Sequence, residues 1–341
     1  MRTTLVTGGA GFIGSNFVER FFDHHTDERL VVLDVLTYAA NPENIPERIR
    51  NDVRFKLVVG DIRDRPLVES LVSASDRVVH FAAESHVTRS IADDLPFFET
   101  DVIGTQSIAS AVAKYASCIE RFIHISTSEV YGSCVSSPMD EDHPLLPCTP
   151  YAAAKAGADR LVYAYRETYK IPTVIIRPFN NYGPKQHLEK VVPRFVTSAL
   201  LGEPLTIHGD GLMTRDWVYV TDTCEAVLAA LESQAALGEV INVGTGVDTS
   251  ILEIAQRILD CVGENIHLIA HGPPRPGQVD RHISSVDKSH RLLGWRAKLN
   301  LDTAIETTVD WYRRNEDWWR PQRETMATDV SVADRGVVGH F

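Results

Sequence analysis

Cysteine is scarce in this chain of 341 residues, and the five present, Cys118, Cys134, Cys148, Cys224 and Cys261, are scattered with no Cys-x-x-Cys spacing. Structural zinc and a disulfide framework both need paired or clustered cysteines, so free thiols in a reducing compartment are expected, and no metal site. Long hydrophobic runs are lacking too: nothing approaches the roughly 20 apolar residues of a membrane span. The amino terminus, MRTTLVTGGAG, goes straight into a strand and turn, so the expectation is no signal peptide and a cytoplasmic location. Positive charge is in deficit, with 34 Lys and Arg against 46 Asp and Glu and a net charge of -12. A nucleic-acid surface needs clustered cations and is not expected. An anionic small molecule stays compatible, because a few local arginines can hold a diphosphate within an acidic protein.

What the chain does have is the 44% hydrophobic and 23% charged content of an ordinary globular protein, with length for one large or two modest domains. Short runs such as TTLVTG, RLVVLDV, DRVVHFAA, RFIHISTS and TVIIRP are rich in β-branched residues and lack polar alternation. Strands covered on both faces read this way. Between them lie helix-like segments at 13–25, 65–74, 102–115 and 151–169. The alternation predicts an α/β fold, a Rossmann-type doubly wound parallel sheet. After Pro178 the texture changes to a Gly/Pro loop, a helix, a hairpin-like LTIHGDG and a mixed region. This predicts a smaller mixed α/β substrate-binding lobe made of 181–214 and 249–320, set on a cofactor domain of 1–180 and 215–248. Residues 321–341 lose periodicity and are expected to be a frayed or mobile tail.

The run LVTGGAGFIGSNFVERFF places Gly8, Gly11 and Gly14 directly after a strand and before an amphipathic helix, with Phe12 and Ile13 between them. Glycines there permit a tight turn and close backbone approach, and the helix N-terminus then faces a pyrophosphate. The next strand ends in Asp34, placed to accept hydrogen bonds from a ribose 2′-hydroxyl. No Arg follows it immediately, which favours NAD over NADP. GDIRD supplies Asp61 and Ile62 at a further strand end, where an adenine edge would sit. HFAAESHV places small Ala82 and Ala83 where backbone passes close to the dinucleotide, with Glu84 next toward the substrate.

YAAAK sets Tyr151 and Lys155 at i and i+4, on one helix face. An ammonium near a phenol favours the phenolate, and a nicotinamide cation adds to the effect, which suits a general base for alcohol oxidation. With the upstream strand end ISTSEVYGS, the pattern resembles the extended short-chain dehydrogenase/reductase family, in particular its nucleotide-sugar enzymes. LDVLTYAAN, HFAAESHVTRSI, RPFNNYGPKQHLEKVVP, GDGLMTRDWVYV and WYRRNEDWW resemble the dTDP-glucose 4,6-dehydratases among them. The resemblance implies NAD as a tightly held cofactor, a nucleoside-diphosphate sugar as substrate, and a homodimer built on helices of the cofactor domain. It also implies Asn180 and Asn181 near the sugar and diphosphate, Glu189, Lys190 and Arg194 in the nucleotide loop, and Arg215 and Arg281 at the diphosphate. Guanidinium forks suit phosphate oxygens, although Arg215 could instead pair with Asp216 or Asp222.

The strand end decides the expected reaction. The resemblance implies that Tyr151, helped by Thr127, takes the C4 hydroxyl proton of the sugar as C4 is oxidised, which makes C5 acidic. In the 4,6-dehydratases the trio is Thr-Asp-Glu, the Asp protonating the leaving C6 hydroxyl and the Glu removing the C5 proton. Here it is Thr127-Ser128-Glu129, and a serine hydroxyl is a poor acid near neutral pH. Thr-Ser-Glu resembles the UDP-glucuronate decarboxylases, UDP-xylose synthases included, whose β-keto acid loses carbon dioxide with no acid on a leaving hydroxyl. The sequence therefore favours decarboxylation of UDP-glucuronate, to a 4-keto-pentose or UDP-xylose, with Arg281 as candidate partner of the sugar carboxylate. The alternative is 4,6-dehydration, with a relay through Ser128 and water, or Glu129 itself, as the acid. A 4-epimerase needs only Thr127, Tyr151 and Lys155, and a non-catalytic sensor needs not even the Tyr–Lys pair.

Overall fold

The computed structural model describes residues 1–274 and 277–333, with side chains described to 324. The expected strands form one parallel sheet: β1 (Thr3–Thr7), β2 (Arg29–Asp34), β3 (Phe55–Val59), β4 (Arg77–His80), β5 (Arg121–Ile125), β6 (Thr173–Pro178) and, later in the chain, β10 (Val240–Val243). Their order is β10-β6-β5-β4-β1-β2-β3. Every residue of β4, β5 and β6 is buried, which is why these runs carry no polar alternation. On one face Phe17, Val18 and Phe21 of the helix Phe12–His24 pack with Val227 and Leu231 of the helix Val220–Glu232. On the other, Val68, Val72, Ile108, Val112 and Val162 cover Leu5, Val78 and Phe122. Strand order reverses between β1 and β4, and there the register aligns Thr7 with Leu33 and with His80, so the carboxyl ends form one rim. Ligands of doubly wound sheets bind outside such a switch point.

The smaller lobe holds a three-stranded sheet, β11-β9-β7, and a two-stranded one, β12-β8. Here β7 is Asn180–Tyr182, β8 Leu205–His208, β9 Thr214–Tyr219, β11 Asp248–Ser250 and β12 Ile269–Gly272. The helices Val191–Leu200, Ile251–Val262 and Leu301–Arg314 enclose a separate core around Phe195, Ile258 and Tyr312. Three local expectations differ. The run RDWVYV does not return to the main sheet: Trp217 and Tyr219 of β9 pack edge-on against Tyr182, with ring centroids 6.4 and 5.7 Å apart, so aromatic packing commits β9 to the lobe. LTIHGDG is no hairpin, since β8 pairs in parallel with the distant β12. The stretch expected to be a tail begins inside a helix, Glu316–Ala333, where Trp319 is buried with its indole N–H donating to the Tyr312 carbonyl at 2.8 Å. The rest of that stretch, 334–341, lies outside the described residues.

Candidate active site

A cavity of about 540 Å³ opens between the carboxyl rim of the sheet and the smaller lobe. Gly8, Gly11, Phe12, Ile13, Gly14, Asp34, Asp61, Ile62, Ala82 and Ala83 line it on one side. Thr127, Ser128, Glu129, Tyr151 and Lys155 line its floor, and Glu84, Asn180, Asn181, Glu189, Lys190, Arg194 and Arg215 complete it. Arg281 is the one expected site residue that does not line it. Its guanidinium instead forks onto Asp248, with Nε to Oδ2 at 2.7 Å and Nη2 to Oδ1 at 3.3 Å. The parallel bridge from Thr214 to Arg281 brings the two into reach, and the carboxylate satisfies the fork.

The glycine turn has the shape of a cradle. Gly8 sits at φ 71°, and a Cβ there would stand 2.5 Å from the backbone nitrogen of Ala82, so only glycine lets the turn lie against the chain that leaves β4. Its N–H donates to the Leu33 carbonyl at 2.9 Å, tying the turn to the end of β2. Asp34 is held in place by the N–H groups of Ala10 and Leu36, both at 2.9 Å, and burial pushes its carboxyl up. These features fit a dinucleotide: an open backbone approach beside a helix N-terminus, and a fixed carboxylate at the next strand end. Asp61 is clasped by Arg63 at 2.7 Å, which holds its carboxyl below the usual range.

The chemical floor depends on two helix starts. Thr149 caps the helix Pro150–Tyr169 by accepting from the Ala152 N–H at 3.2 Å, with Pro150 in the first turn. That fixes Tyr151 and Lys155 at the rim. Lys155 is buried and donates to the Ile125 carbonyl at 2.9 Å. The expected lowering of the phenol by Lys155 is not what the protein's own groups produce. Burial first, then Asp101 and Glu129, drive the Tyr151 phenol up, against a hydrogen bond from Thr127 that favours the phenolate. Thr127 also starts the short helical turn Ser128–Tyr131, its hydroxyl accepting from the Glu129 N–H at 3.2 Å.

On the lobe side, the amide oxygens of Asn180 and Asn181 are buried with no protein partner. Glu189 is buried beside His86 and His187, at 3.8 and 3.7 Å, and near Lys190 at 3.9 Å. Lys190 donates to the Ser85 carbonyl at 2.5 Å, and Arg194 to the Thr206 carbonyl at 3.2 Å. Arg215 pairs with neither Asp216 nor Asp222. It donates to the carbonyls of Thr214 and Val279, both at 2.8 Å, while those carboxylates serve backbone N–H groups elsewhere.

Two further residues beside the floor escaped the sequence reading. Asp101, in the π-helical turn Phe98–Gly104, is buried, accepts from the Glu84 N–H at 2.8 Å, and has its carboxyl pushed up to about 7 by burial. His282 is fully buried behind the strand end, with Nε2 2.7 Å from the Gly132 carbonyl and Nδ1 3.5 Å from Ser128 Oγ and 4.0 Å from Glu129 Oε1. Its place after Arg281 in VDRHISS carries no motif that would have singled it out. Among the described residues no group of three His, Cys, Asp or Glu side chains is placed to hold a metal, and no helix is long and apolar enough to cross a membrane.

Comparison with known proteins gives concordant results. The family model described as GDP-mannose 4,6 dehydratase matches residues 5–308. The chain is 44% identical to the low-salt glycan biosynthesis protein Agl12 of Haloferax volcanii, over 92% of this chain and 99% of that one. It is 39% identical to a dTDP-glucose 4,6-dehydratase of Streptomyces niveus, over 97% and 99% of the two. The crystal structure of DesIV, a dTDP-glucose 4,6-dehydratase from Streptomyces venezuelae solved with NAD bound, superposes with a TM-score of 0.90 at 40% identity, covering 94% of this chain and 99% of that one.

Proposed function

The chain belongs to the extended short-chain dehydrogenase/reductase family of nucleotide-sugar enzymes, and from that premise we propose that it is an NAD-dependent 4,6-dehydratase of a nucleoside-diphosphate hexose of the dTDP-glucose type. The observation that carries the choice is the likeness to dTDP-glucose 4,6-dehydratases along nearly the whole chain, and the place of Arg281 agrees with it. Decarboxylation, the first expectation from the Thr-Ser-Glu trio, calls for a cation at the sugar's C6 carboxylate. Arg281 was the candidate, and it is spent on Asp248 outside the cavity.

Gly8, Gly11, Gly14 and Asp34 would hold NAD, which supplies the reversible two-electron oxidation of the sugar. Tyr151 takes the C4 hydroxyl proton, with Thr127 hydrogen-bonded to the phenol oxygen. Since the protein's own groups raise this phenol, positive charge brought by the cofactor must offset burial for the phenolate to form near neutral pH. Lys155, anchored on Ile125, keeps a second cation at the strand end. Once C4 is a ketone the C5 proton is acidic, and Glu129 is the carboxylate on the floor to remove it. Asn180 and Asn181, with unpaired buried oxygens, suit sugar hydroxyls, which are donors. Lys190, Arg194 and Arg215 bring positive charge to the nucleotide diphosphate.

The test is mass spectrometry of products when the protein with NAD is offered dTDP-glucose and UDP-glucuronate separately. Loss of water from the first is expected. Loss of carbon dioxide from the second, with dTDP-glucose untouched, replaces this reading with decarboxylation.

A further inference from the structure

We propose that His282 supplies the proton for the departing C6 hydroxyl through Ser128, taking the place of the carboxylic acid that this strand end lacks. The inference rests on the dehydratase reading above and names the acid which that reading leaves unassigned.

Hydrogen-bond geometry fixes what His282 can do. Gly132 offers only a carbonyl, so Nε2 must carry a hydrogen and donate to it at 2.7 Å. The remaining nitrogen, Nδ1, then faces Ser128 Oγ at 3.5 Å and Glu129 Oε1 at 4.0 Å. Nδ1 is therefore the atom that gains or loses a proton, and both residues beside it line the cavity while His282 does not. A fully buried imidazole aimed at two cavity-lining groups is a positioning residue that acts through one of them.

The step balances. Glu129 takes the C5 proton, the C5–H electron pair becomes the C5=C6 bond, and the C6–O bond breaks. The departing oxygen takes the Ser128 hydroxyl proton and leaves as water, and Ser128 Oγ takes the proton from Nδ1. A carboxylate and an imidazolium become a carboxylic acid and a neutral imidazole, and Ser128 ends unchanged. Glu129 then holds its proton beside Nδ1, the shortest way back.

The charges around the ring set its pH behaviour. Burial lowers the imidazole below its ordinary 6.5, Glu129 and the Gly132 carbonyl raise it, and Arg215 and His143 lower it again. The ring of Phe179 packs against it edge-on and is uncharged. The imidazolium is thus the minor form near neutrality, so the rate of water loss should fall as pH rises from the acid side through neutrality.

The experiment follows dTDP-glucose with NAD in wild type and in His282→Gln, whose amide can still donate to Gly132. Formation of reduced nicotinamide reports C4 oxidation, and product mass reports water loss. His282→Gln should retain C4 oxidation, lose water roughly 100-fold more slowly or worse, and lose the pH limb. Ser128→Ala should do the same and serves if His282→Gln does not fold. In a Ser128→Asp background, where a carboxylic acid replaces the relay, adding His282→Gln should change nothing. Unaltered water loss and pH profile in His282→Gln or Ser128→Ala, or an equal loss in the Ser128→Asp background, overturns the relay and leaves the dehydratase reading standing. A wild type that oxidises C4 and never loses water overturns both.

Discussion

Asp159 grips Arg177 with two parallel hydrogen bonds in the core, Nε to Oδ2 at 2.9 Å and Nη2 to Oδ1 at 3.0 Å, and neither side chain reaches solvent. Arg177 also donates to the Tyr131 hydroxyl at 2.9 Å, and Tyr131 ends the turn that carries Ser128 and Glu129. The pair therefore braces the floor of the site from below. Asp159→Ala strands a buried guanidinium and should cost about 3–5 kcal/mol of stability, measured by denaturant unfolding. The arginine holds the Asp159 carboxyl far below its ordinary 3.8. A depressed carboxyl stabilises fully above that ordinary value and gives up the contribution as pH falls beneath it. Acid loss from this pair should thus begin only below about pH 4.

His80 produces an acid response in a different window. It bridges Thr7 Oγ1 at 2.6 Å and Thr105 Oγ1 at 2.9 Å, and burial, aided by Lys155, pushes its imidazole down to about 3. The unfolded chain takes a proton below 6.5, while the folded one refuses it until about 3. Its stability contribution is whole above 6.5 and erodes as pH drops toward 3, by about 5 kcal/mol at most. Thermal midpoints should decline from pH 6.5 downward, well before Asp159 titrates. His80→Gln should flatten that slope; an identical slope in the variant would assign it to other groups.

What the sequence made legible was what lies close along the chain. Gly8, Gly11 and Gly14 sit within one turn, Tyr151 and Lys155 within one helical turn, and the buried strands announce themselves by unbroken β-branched runs. What it hid depends on distant partners. His282 stands 154 residues from Ser128, and no local pattern marks the encounter. Arg281 reads as a phosphate ligand until β11 delivers Asp248 beside it. The commitment of β9 to the lobe depends on Tyr182 from another segment, and β8 looks like half a hairpin until β12 arrives as its neighbour. The phenol of Tyr151 shows the same limit in electrostatic form: the i, i+4 lysine is visible, whereas the burial and the Asp101 and Glu129 charges that raise the phenol are tertiary facts.

Arg281 gives a discriminating control. Its side chain is about half exposed and its fork is satisfied by Asp248 at the surface. Exposed pairs contribute little. Arg281→Ala should leave KM and kcat for dTDP-glucose within about twofold of wild type. A large rise in KM would return this guanidinium to the diphosphate, where the sequence alone had placed it.

Tyr151→Phe separates the base from the fold around it. The side chain is partly buried at the cavity, and the Tyr151 backbone N–H donates to Ser90 Oγ at 3.1 Å, so removing the phenol oxygen leaves the helix start and its cap intact. The variant should bind NAD with wild-type affinity in calorimetry, because the glycine turn and Asp34 are untouched. Formation of reduced nicotinamide on mixing with dTDP-glucose should fall by at least about 100-fold, the ordinary contribution of a positioned base. If instead the variant oxidises C4 at near the wild-type rate, the proton leaves by another route and the assignment of Tyr151 fails, together with the role given to Thr127 beside it.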